Sequence, residues 1–563
     1  MTTESNHAPW WQTAVIYQIY PRSFLDHDGD GVGDLRGIRE KLPYLSETLG
    51  IDAIWLSPFY PSPMADFGYD VSNYCDVDPV FGTLDDFDAL VTAAHAAGLK
   101  MVVDFVPNHT SDAHPWFVEA RVRRDSLKRD WYYFRDAKPD GSPPNNWVSL
   151  FGGSSWAWDE ATAQYYLHTF LPEQPDLNWR NPEVVNAMHD VLRFWMRRGV
   201  DGFRIDVAHA LGKHPELRDN PLGTERSHKP RGDTDLQRHV HDLGHPDVHA
   251  IFRRLRRVVD DFEPGRERVA IGEIHDYDVA HWAQYYGRPT EAGGLDGLHM
   301  PFNFGLLNVP FEAAPIRSLV EALEAHVPAG GWPNYVLGNH DESRLATRVG
   351  PERARLAAML LLTLRGTPTL YYGDELGMRD VPVPLDQQRD PWGKRVPGLD
   401  LSRDPCRTPM RWDASPGAGF TAGPPEQTWL PLGDDIEAVN VAHQRDDPAS
   451  MLSLYRKLLD VRKSEPALRI GSLEWLDVGD DLLAYRRQHH DRSVMVIMNF
   501  SAEPRTVAFA TDVSVVATTS PSAGRRAAPL NLEPWEGRVV RPSSPADTGR
   551  RPPDALDTPD PPP

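Results

Sequence analysis

Short apolar runs alternate with stretches of helical spacing along most of the chain. The runs fall at residues 14–24, 51–58, 100–109, 202–207, 269–273, 298–304, 336–341 and 369–372. Amphipathic stretches such as 35–49, 83–99 and 182–200 lie between them. Short apolar runs bounded by turn signals and separated by helical patterns indicate buried parallel strands. The pattern therefore predicts an α/β fold.

Several of these runs end in a carboxylate or a histidine. In Gly202-Phe203-Arg204-Ile205-Asp206-Val207, Arg204 and Asp206 share one face of a strand, because side chains alternate along it. A carboxylate beside a guanidinium stays ionised and can act as a nucleophile. An isolated pair of this kind is more often structural, but similar ends recur at 104–109, 269–273 and 335–341. Polar groups at the ends of several strands favour a (β/α)8 TIM barrel, whose active site lies on that face.

The remaining segments predict the domain organisation. A barrel occupies residues 1–106 and 182–470, and an insertion at 107–181 is rich in Trp, Gly, Pro and Asn. A segment this long without clear helices indicates a subdomain or a lid. Residues 373–448 are irregular, and 211–249, rich in His, Arg and Pro, is interpreted as a surface loop. Alternating residues within 471–541 predict a C-terminal antiparallel β-domain, and the Pro-rich tail 542–563 predicts disorder.

Five motifs now support a resemblance. DFVPNHT (104–110), QPDLNW (174–179), GFRIDV (202–207), GEI (272–274) and GNHD (338–341) occur in this order. The chain resembles the α-amylase superfamily of glycoside hydrolases over residues 10–541, and within it the α-glucosidase and oligo-1,6-glucosidase group. The resemblance implies that 107–181 is the inserted B domain, which walls one side of a sugar pocket.

The resemblance also implies the chemistry. Asp206 would be the nucleophile of a retaining, exo-acting α-glucosidase, Glu273 its acid and base, and Asp341 a third carboxylate that stabilises the transition state. Retaining enzymes need the two reacting carboxyl groups about 5–5.5 Å apart. We expect Arg204 to lower the pKa of Asp206 and burial to raise that of Glu273. A transglucosylase or a sucrose isomerase would use the same residues and remains the alternative.

Further residues are assigned to sugar binding by the resemblance. Taken alone, the Asp-Phe-Gly-Tyr motif at 66–69 is more often a turn, a His after Asn is more often structural, and Arg407 is as often part of a loop salt bridge. In the family the residue after the nucleophile relates to linkage, and Val at this position resembles enzymes that accept α-1,6 bonds. The implied binding set is Asp66, Tyr69, His109, Phe170, Gln174, Arg204, Val207, His340 and Arg407.

An acidic loop follows the first predicted strand. Residues 26–34 read DHDGDGVGD, with carboxylates at alternate positions between glycines, which suits a hard cation. It is not an EF-hand, because Gly37 stands where a bidentate Glu is needed, and a merely acidic turn is the alternative. The resemblance implies structural Ca²⁺ (or Mg²⁺) bound by Asp26, Asp28, Asp30, the carbonyl of Val32 and Asp34. A second Ca²⁺ site of many amylases needs a Lys-His pair after the nucleophile, and Ala208-His209 here predicts that it is lacking.

Composition excludes several other classes. The net charge is −22, from 59 basic and 81 acidic residues, which disfavours nucleic acid and anionic membranes as partners. A neutral oligosaccharide is compatible with that charge. Two cysteines, Cys75 and Cys406, are too few for a disulfide framework, and the first 20 residues show no signal peptide. We expect a cytoplasmic protein of open oligomeric state.

Overall fold

Eight short parallel strands close into a barrel in the computed structural model, which describes residues 8–223, 231–291, 293–509, 513–520, 526–527 and 529–542. Each strand pairs with its neighbours in chain order, and the first pairs with the eighth. This confirms the predicted barrel. The strands are Ile16–Ile19, Ala53–Leu56, Lys100–Phe105, Gly202–Ile205, Val269–Gly272, Met300–Asn303, Asn334–Val336 and Thr367–Tyr371.

Register in the barrel decides which side chains meet at its carboxyl end. Ile205 at the end of the fourth strand pairs with Gly272 at the end of the fifth. On the other side, Phe105 of the third strand also pairs with Ile205. The residues that follow these strands therefore emerge side by side, which brings Asp206 next to Glu273.

Helices surround the barrel and connect its strands. The predicted helix over 35–49 is wrong in one respect, because it is divided near Pro43, which has no N–H to continue it. None of the helices in the described part of the chain combines the length and the apolar composition that a membrane span requires. The helices are Trp10–Thr13, Leu35–Glu40, Tyr44–Leu49 (a π-helix), Leu84–Ala96, Pro115–Ala120, Pro182–Arg197, Val248–Asp261, Val279–Ala283, Gly305–Asn308, Ala313–His326, Leu345–Val349, Pro351–Thr363, Pro391–Arg395, Val441–Gln444, Met451–Ser464 and Pro466–Ile470.

Two long segments between barrel elements carry their own structure. The first, after the third strand, contains the helix Pro115–Ala120 and an antiparallel sheet of Phe134–Arg135, Gln164–Leu167 and Trp156–Asp159. The second, after the eighth strand, contains short helical turns at Asp374–Leu376, Asp404–Cys406 and Pro425–Gln427. Both segments contribute residues to the site described below.

A C-terminal antiparallel sheet packs after the last helix, which confirms that part of the predicted fold. Its strands are Ser472–Leu476, Leu482–His489, Arg492–Asn499, Val513–Thr518, Arg526–Ala527 and Gly537–Pro542, and Arg505–Val507 pairs with Leu530–Leu532 beside it. The predicted disordered tail lies outside the described residues from position 543 onwards.

Candidate active site

Arg204 stands at the centre of the carboxyl end of the barrel. Its Nη1 donates to Oδ1 of Asp104 at 2.9 Å and to Oδ1 of Asp206 at 2.8 Å, while Nη2 lies 2.9 Å from Oε2 of Glu273. The guanidinium also lies over the Trp55 ring, 4.9 Å from its centroid. A single buried cation therefore gathers three carboxylates from the third, fourth and fifth strands.

Val207 turns the chain sharply after the nucleophile candidate. Its φ of 34° and ψ of 47° lie in the left-handed region, which is unusual for a β-branched residue. Such backbone costs of the order of 1–3 kcal/mol and clusters at functional sites. The turn aims the Val207 N–H at Oε2 of Glu273, at a distance of 2.8 Å. Backbone strain thus fixes one oxygen of the acid candidate.

The pKa directions of the two carboxylates in the substrate-free site differ from the prediction. Burial raises the pKa of Asp206 and outweighs the opposing attraction of Arg204. Burial also acts to raise the pKa of Glu273, but Arg204 and His275 outweigh it and hold that pKa below its ordinary value. The predicted directions are therefore wrong for this state. The reason is that Arg204 serves both carboxylates, while His275 and Val207 donate to Glu273 alone.

A hydrogen-bonded chain orders the side of the site next to the second strand. Burial lowers the pKa of His340 to about 3, so its ring is neutral. Gln18 Nε2 donates to Nδ1 of His340 at 2.8 Å, which leaves Nε2 to donate to the Tyr69 hydroxyl at 2.6 Å. Tyr69 in turn donates to Oδ2 of Asp104 at 3.1 Å, and its ring stacks on His340 at 5.2 Å. The tautomer of His340 follows from these partners.

Two arginines from the segment after the eighth strand hold Asp341. Nη1 of Arg403 donates to Oδ1 of Asp341 at 3.1 Å, and Nη2 of Arg407 donates to the same oxygen at 2.9 Å. Arg403 also donates to Oδ1 of Asp66 at 2.6 Å and to Asp390 at 2.7 Å. Burial acts to raise the pKa of Asp341, but His340 and the two arginines outweigh it, so this pKa lies well below its usual value.

Residues of the 107–181 segment complete the wall. Gln174 Nε2 donates to Oδ2 of Asp66 at 3.2 Å, and His109 Nε2 donates to the carbonyl of Tyr69 at 3.1 Å. The Phe170 ring meets the His109 ring edge to face at 5.3 Å. Polar groups and an aromatic face side by side suit the hydroxyls and the C–H face of a sugar.

These side chains surround a cavity of about 680 Å³, which is large enough for a small oligosaccharide fragment. The structure brings nine predicted residues to its surface, namely Asp66, Tyr69, His109, Phe170, Asp206, Val207, Glu273, His340 and Asp341. The other three lie behind that surface as buried supports: Gln174, Arg204 and Arg407.

Sequence reasoning missed several residues at this cavity. The sequence predicts a surface loop over 211–249, but Thr234, Arg238, His239 and Leu243 of this segment line the cavity. Its polar composition looks the same for a solvent-exposed loop and for a sugar-binding wall. Arg403 and His275 also line the cavity, and Asp104 lies buried behind it on Arg204. Asp104 begins the DFVPNHT motif and His275 follows the GEI motif, but neither motif predicts these contacts.

The acidic loop forms a partial cluster. Oxygens of Asp26, Asp28 and Asp34 lie within 4.8 Å of one another, and three carboxylates suit a hard cation. Asp30 lies outside this group and accepts from the Val32 N–H at 2.8 Å. Asp26 also accepts from Thr421 at 2.6 Å, which ties the loop to the segment after the eighth strand.

A buried ammonium lies between the barrel and the 107–181 segment. Nζ of Lys213 lies 2.9 Å from Asp176 Oδ2, 3.0 Å from Thr169 Oγ1, 2.7 Å from the carbonyl of Ala210 and 3.3 Å from Asn108 Oδ1. The lysine is 2% exposed. One positive charge among four oxygens gives a physical basis for the prediction that a second cation site is lacking, which stays a prediction.

Known proteins are similar to this chain over most of its length. A probable alpha-glucosidase of Rhizobium meliloti (strain 1021) is 44% identical over 509 residues, covering 88% of this chain and 90% of that protein. An oligo-1,6-glucosidase of Parageobacillus thermoglucosidasius is 36% identical over 581 residues, covering 94% and 99%. These relatives bear out the predicted resemblance to the glucosidase group.

Solved structures are similar as well. The alpha-glucosyl transfer enzyme XgtA superposes with a TM-score of 0.87 at 43% identity, covering 95% of this chain and all of that one. The trehalulose synthase MutB of Pseudomonas mesoacidophila MX-45 superposes with a TM-score of 0.84 at 36% identity, and the match covers 95% of this chain and 99% of that one. The model of the alpha amylase catalytic domain matches residues 18–471. With its eight-stranded barrel and this match, the chain belongs to the alpha-amylase family of glycoside hydrolases.

Proposed function

We propose that the protein is a retaining, exo-acting α-glucosidase that releases glucose from the non-reducing end of short α-glucosides. The observation that carries this proposal is the pair Asp206 and Glu273 on one guanidinium, at the ends of adjacent strands, within a walled cavity. In the first step Asp206 attacks the anomeric carbon while Glu273 protonates the leaving oxygen. In the second step Glu273 takes a proton from water, which releases glucose from the glucosyl-Asp206.

The arrangement of Arg403 favours action at a chain end. Arg403 forms ion pairs with Asp66, in the loop after the second strand, and with Asp341, in the loop after the seventh strand. These ion pairs lie on the side of the barrel formed by the first and eighth strands, which stand between the second and the seventh. Asp206 and Glu273 follow the fourth and fifth strands, on the opposite side of the barrel. A sugar ring held between these sides has a wall behind it and its reducing-end bond towards Glu273.

Substrate binding is expected to ionise Asp206 and to leave Glu273 protonated. Sugar hydroxyls can donate to Asp206 and stabilise its carboxylate, and a glycosidic oxygen can accept from a protonated Glu273. Asp341, kept ionised by Arg403 and Arg407, can then offset the positive charge that develops on the sugar ring.

Linkage preference is assigned to Val207, whose buried side chain lines the cavity beside Glu273. An apolar side chain here can shape the position of the leaving sugar without offering it a hydrogen bond. One apolar change in a pocket is worth about 1–3 kcal/mol, so we propose a preference for α-1,6 bonds with α-1,4 bonds also accepted.

A glucosyl transferase or a sucrose isomerase is the second candidate. It is favoured by the likeness to an alpha-glucosyl transfer enzyme and to a trehalulose synthase. The same glucosyl-Asp206 would then be attacked by a sugar hydroxyl instead of water. The ratio of glucose to transfer products distinguishes the two.

For the acidic loop we propose structural Ca²⁺ or Mg²⁺ at Asp26, Asp28 and Asp34. Such an ion would neutralise three neighbouring carboxylates and fix the loop to Thr421. The hydrolytic steps above do not pass through it.

The direct test is product analysis with maltose, isomaltose, trehalose and sucrose in parallel, with the anomer of the first product observed by NMR. We expect α-glucose as the first product and free glucose in excess of transfer products. A β-anomer would contradict retention, and dominant transfer products would favour the second candidate. The matched variants are Asp206→Asn, expected to lose about 10⁴-fold or more in kcat, and Asp190→Asn, which changes an exposed side chain of the helix Pro182–Arg197 and is expected to leave kcat unchanged.

A further inference from the structure

The two oxygens of Glu273 have partners of different kinds. Oε2 lies 2.9 Å from Arg204 Nη2 and accepts the Val207 N–H at 2.8 Å. Neither of these donors gives up its proton in the ordinary pH range. Oε1 lies 3.0 Å from Nε2 of His275. Oε1 is therefore the oxygen that can carry an acidic proton, and an imidazole lies next to it.

The ring of His275 is held in a fixed plane. It stacks on Phe304 with centroids 4.4 Å apart and an angle of 4° between the rings. The edge of His209 meets it at 5.6 Å. Phe304 follows the sixth strand and is buried, whereas the His275 side chain is 21% exposed at the cavity. Stacking fixes the direction of Nε2, and exposure allows the ring to exchange protons with solvent.

We propose that His275 is a positioning residue that stores the catalytic proton beside Glu273 while the site is empty and passes it to Oε1 when substrate binds. The inference rests on the proposed function, since it takes Glu273 as the acid. Imidazole is suited to this role because each of its ring nitrogens can accept or donate a proton.

The proton that burial favours on Asp206 in the empty site leaves to solvent when substrate binds, and the remaining proton balance closes over one turnover. The Nε2–H bond of the protonated ring breaks, and an Oε1–H bond forms on Glu273. That proton moves to the glycosidic oxygen as the bond from that oxygen to the anomeric carbon breaks. In the second half, Glu273 takes a proton from the attacking water and returns it to Nε2, so His275 ends as it began.

Among the groups around Glu273, His275 is the one placed to hold this proton. Burial lowers the pKa of His209 to about 3, so the neighbouring ring stays neutral and does not compete for the proton. Arg204 opposes a proton on Glu273, whereas Asp341, which Arg403 and Arg407 keep ionised, favours one. On the loop of His275 itself, the Tyr277 hydroxyl lies 3.5 Å from Nδ1, and Asp276 follows in sequence.

The test compares the pH dependence of kcat/KM for wild type, His275→Gln and His275→Phe on the best disaccharide substrate. The Gln amide can still donate a hydrogen bond to Oε1 of Glu273 but cannot take up and release an acidic proton. The Phe ring retains only the stacking on Phe304. We expect the high-pH limb of both variants to move at least about one unit towards lower pH, because the proton must then reside on Glu273 alone, beside Arg204. We also expect Gln to retain more activity than Phe at low pH. A limb that stays in place or moves upwards in His275→Gln would show a simple hydrogen-bond donor and overturn the inference.

Two controls distinguish a role in proton storage from a structural role and from failure of the proposed function. His326→Gln changes an exposed histidine that bonds Ala322, and its profile should match wild type. An α-glucoside of 4-nitrophenol has a leaving group that needs little protonation, so both His275 variants should cleave it within a few-fold of wild type. Loss of that activity in both variants would show a structural role and overturn the inference. Wild type inactive on every α-glucoside would instead overturn the proposed function.

Discussion

Replacement of Lys213 tests the buried ion pair that joins the barrel to the 107–181 segment. In Lys213→Met the carboxylate of Asp176, which is fully buried, keeps its hydrogen bonds from Thr169 but loses its cation. Removing one partner of a buried pair costs about 3–5 kcal/mol, since the remaining charge is uncompensated. With about 2.1 cal/mol/K of unfolding entropy per residue, a cooperative unit that ends before the predicted disordered tail (residues 1–541) should melt about 3–4 °C lower.

Calorimetry at pH 7 measures this change against two controls. Lys213→Met/Asp176→Asn removes both charges and should recover more than half of the loss. Lys100→Met removes a half-exposed lysine that lies 3.7 Å from Asp201, and it should change the melting temperature by less than about 1 °C. A Lys213→Met protein that melts like wild type, or a double variant that melts below the single one, would refute the reasoning.

Three further predictions concern the metal loop, linkage and pH. Excess chelator should lower the melting temperature of wild type but not of Asp28→Asn, since a ligand that binds only the folded state stabilises it; identical curves with and without chelator would contradict a bound ion. Val207→Thr should shift the ratio of specificity constants for isomaltose and maltose towards maltose, by a factor of about 10–200. A wild type that cleaves maltose well but not isomaltose would show that Val207 does not determine the linkage preference. Burial raises the pKa of Asp374 to about 7, so the folded state binds a proton that the unfolded chain has already released, and stability falls as pH rises from about 4 to 7. Asp374→Asn should therefore raise the melting temperature at pH 8 and change it little below pH 4, and equal shifts at both pH values would contradict this.

The barrel and the strand-end residues could be predicted because their signals are local. An apolar run followed at once by a carboxylate needs no knowledge of distant segments, and Asp206 and Glu273 are both of this kind. The division of the 35–49 helix was also readable in principle, because Pro43 lies within it.

The support of the site could not be predicted because it depends on register and on distant segments. Arg204 reaches Glu273 because Ile205 pairs with Gly272, and the sequence does not reveal that register. Arg403 meets Asp66 across more than 300 residues of chain, and His275 acquires a fixed orientation only through Phe304. The errors in the pKa directions of Asp206 and Glu273 arise from the same shared guanidinium.

The central claim is that Asp206 becomes covalently glucosylated. A 5-fluoro-glucosyl fluoride of α configuration forms the glucosyl-enzyme and then hydrolyses slowly, so the labelled peptide can be identified by mass spectrometry after digestion. We predict one fluoroglucosyl group per chain on the peptide that contains Asp206, and none in Asp206→Asn. An active enzyme that carries no adduct, or an adduct on Glu273 or Asp341 in its place, would contradict the account.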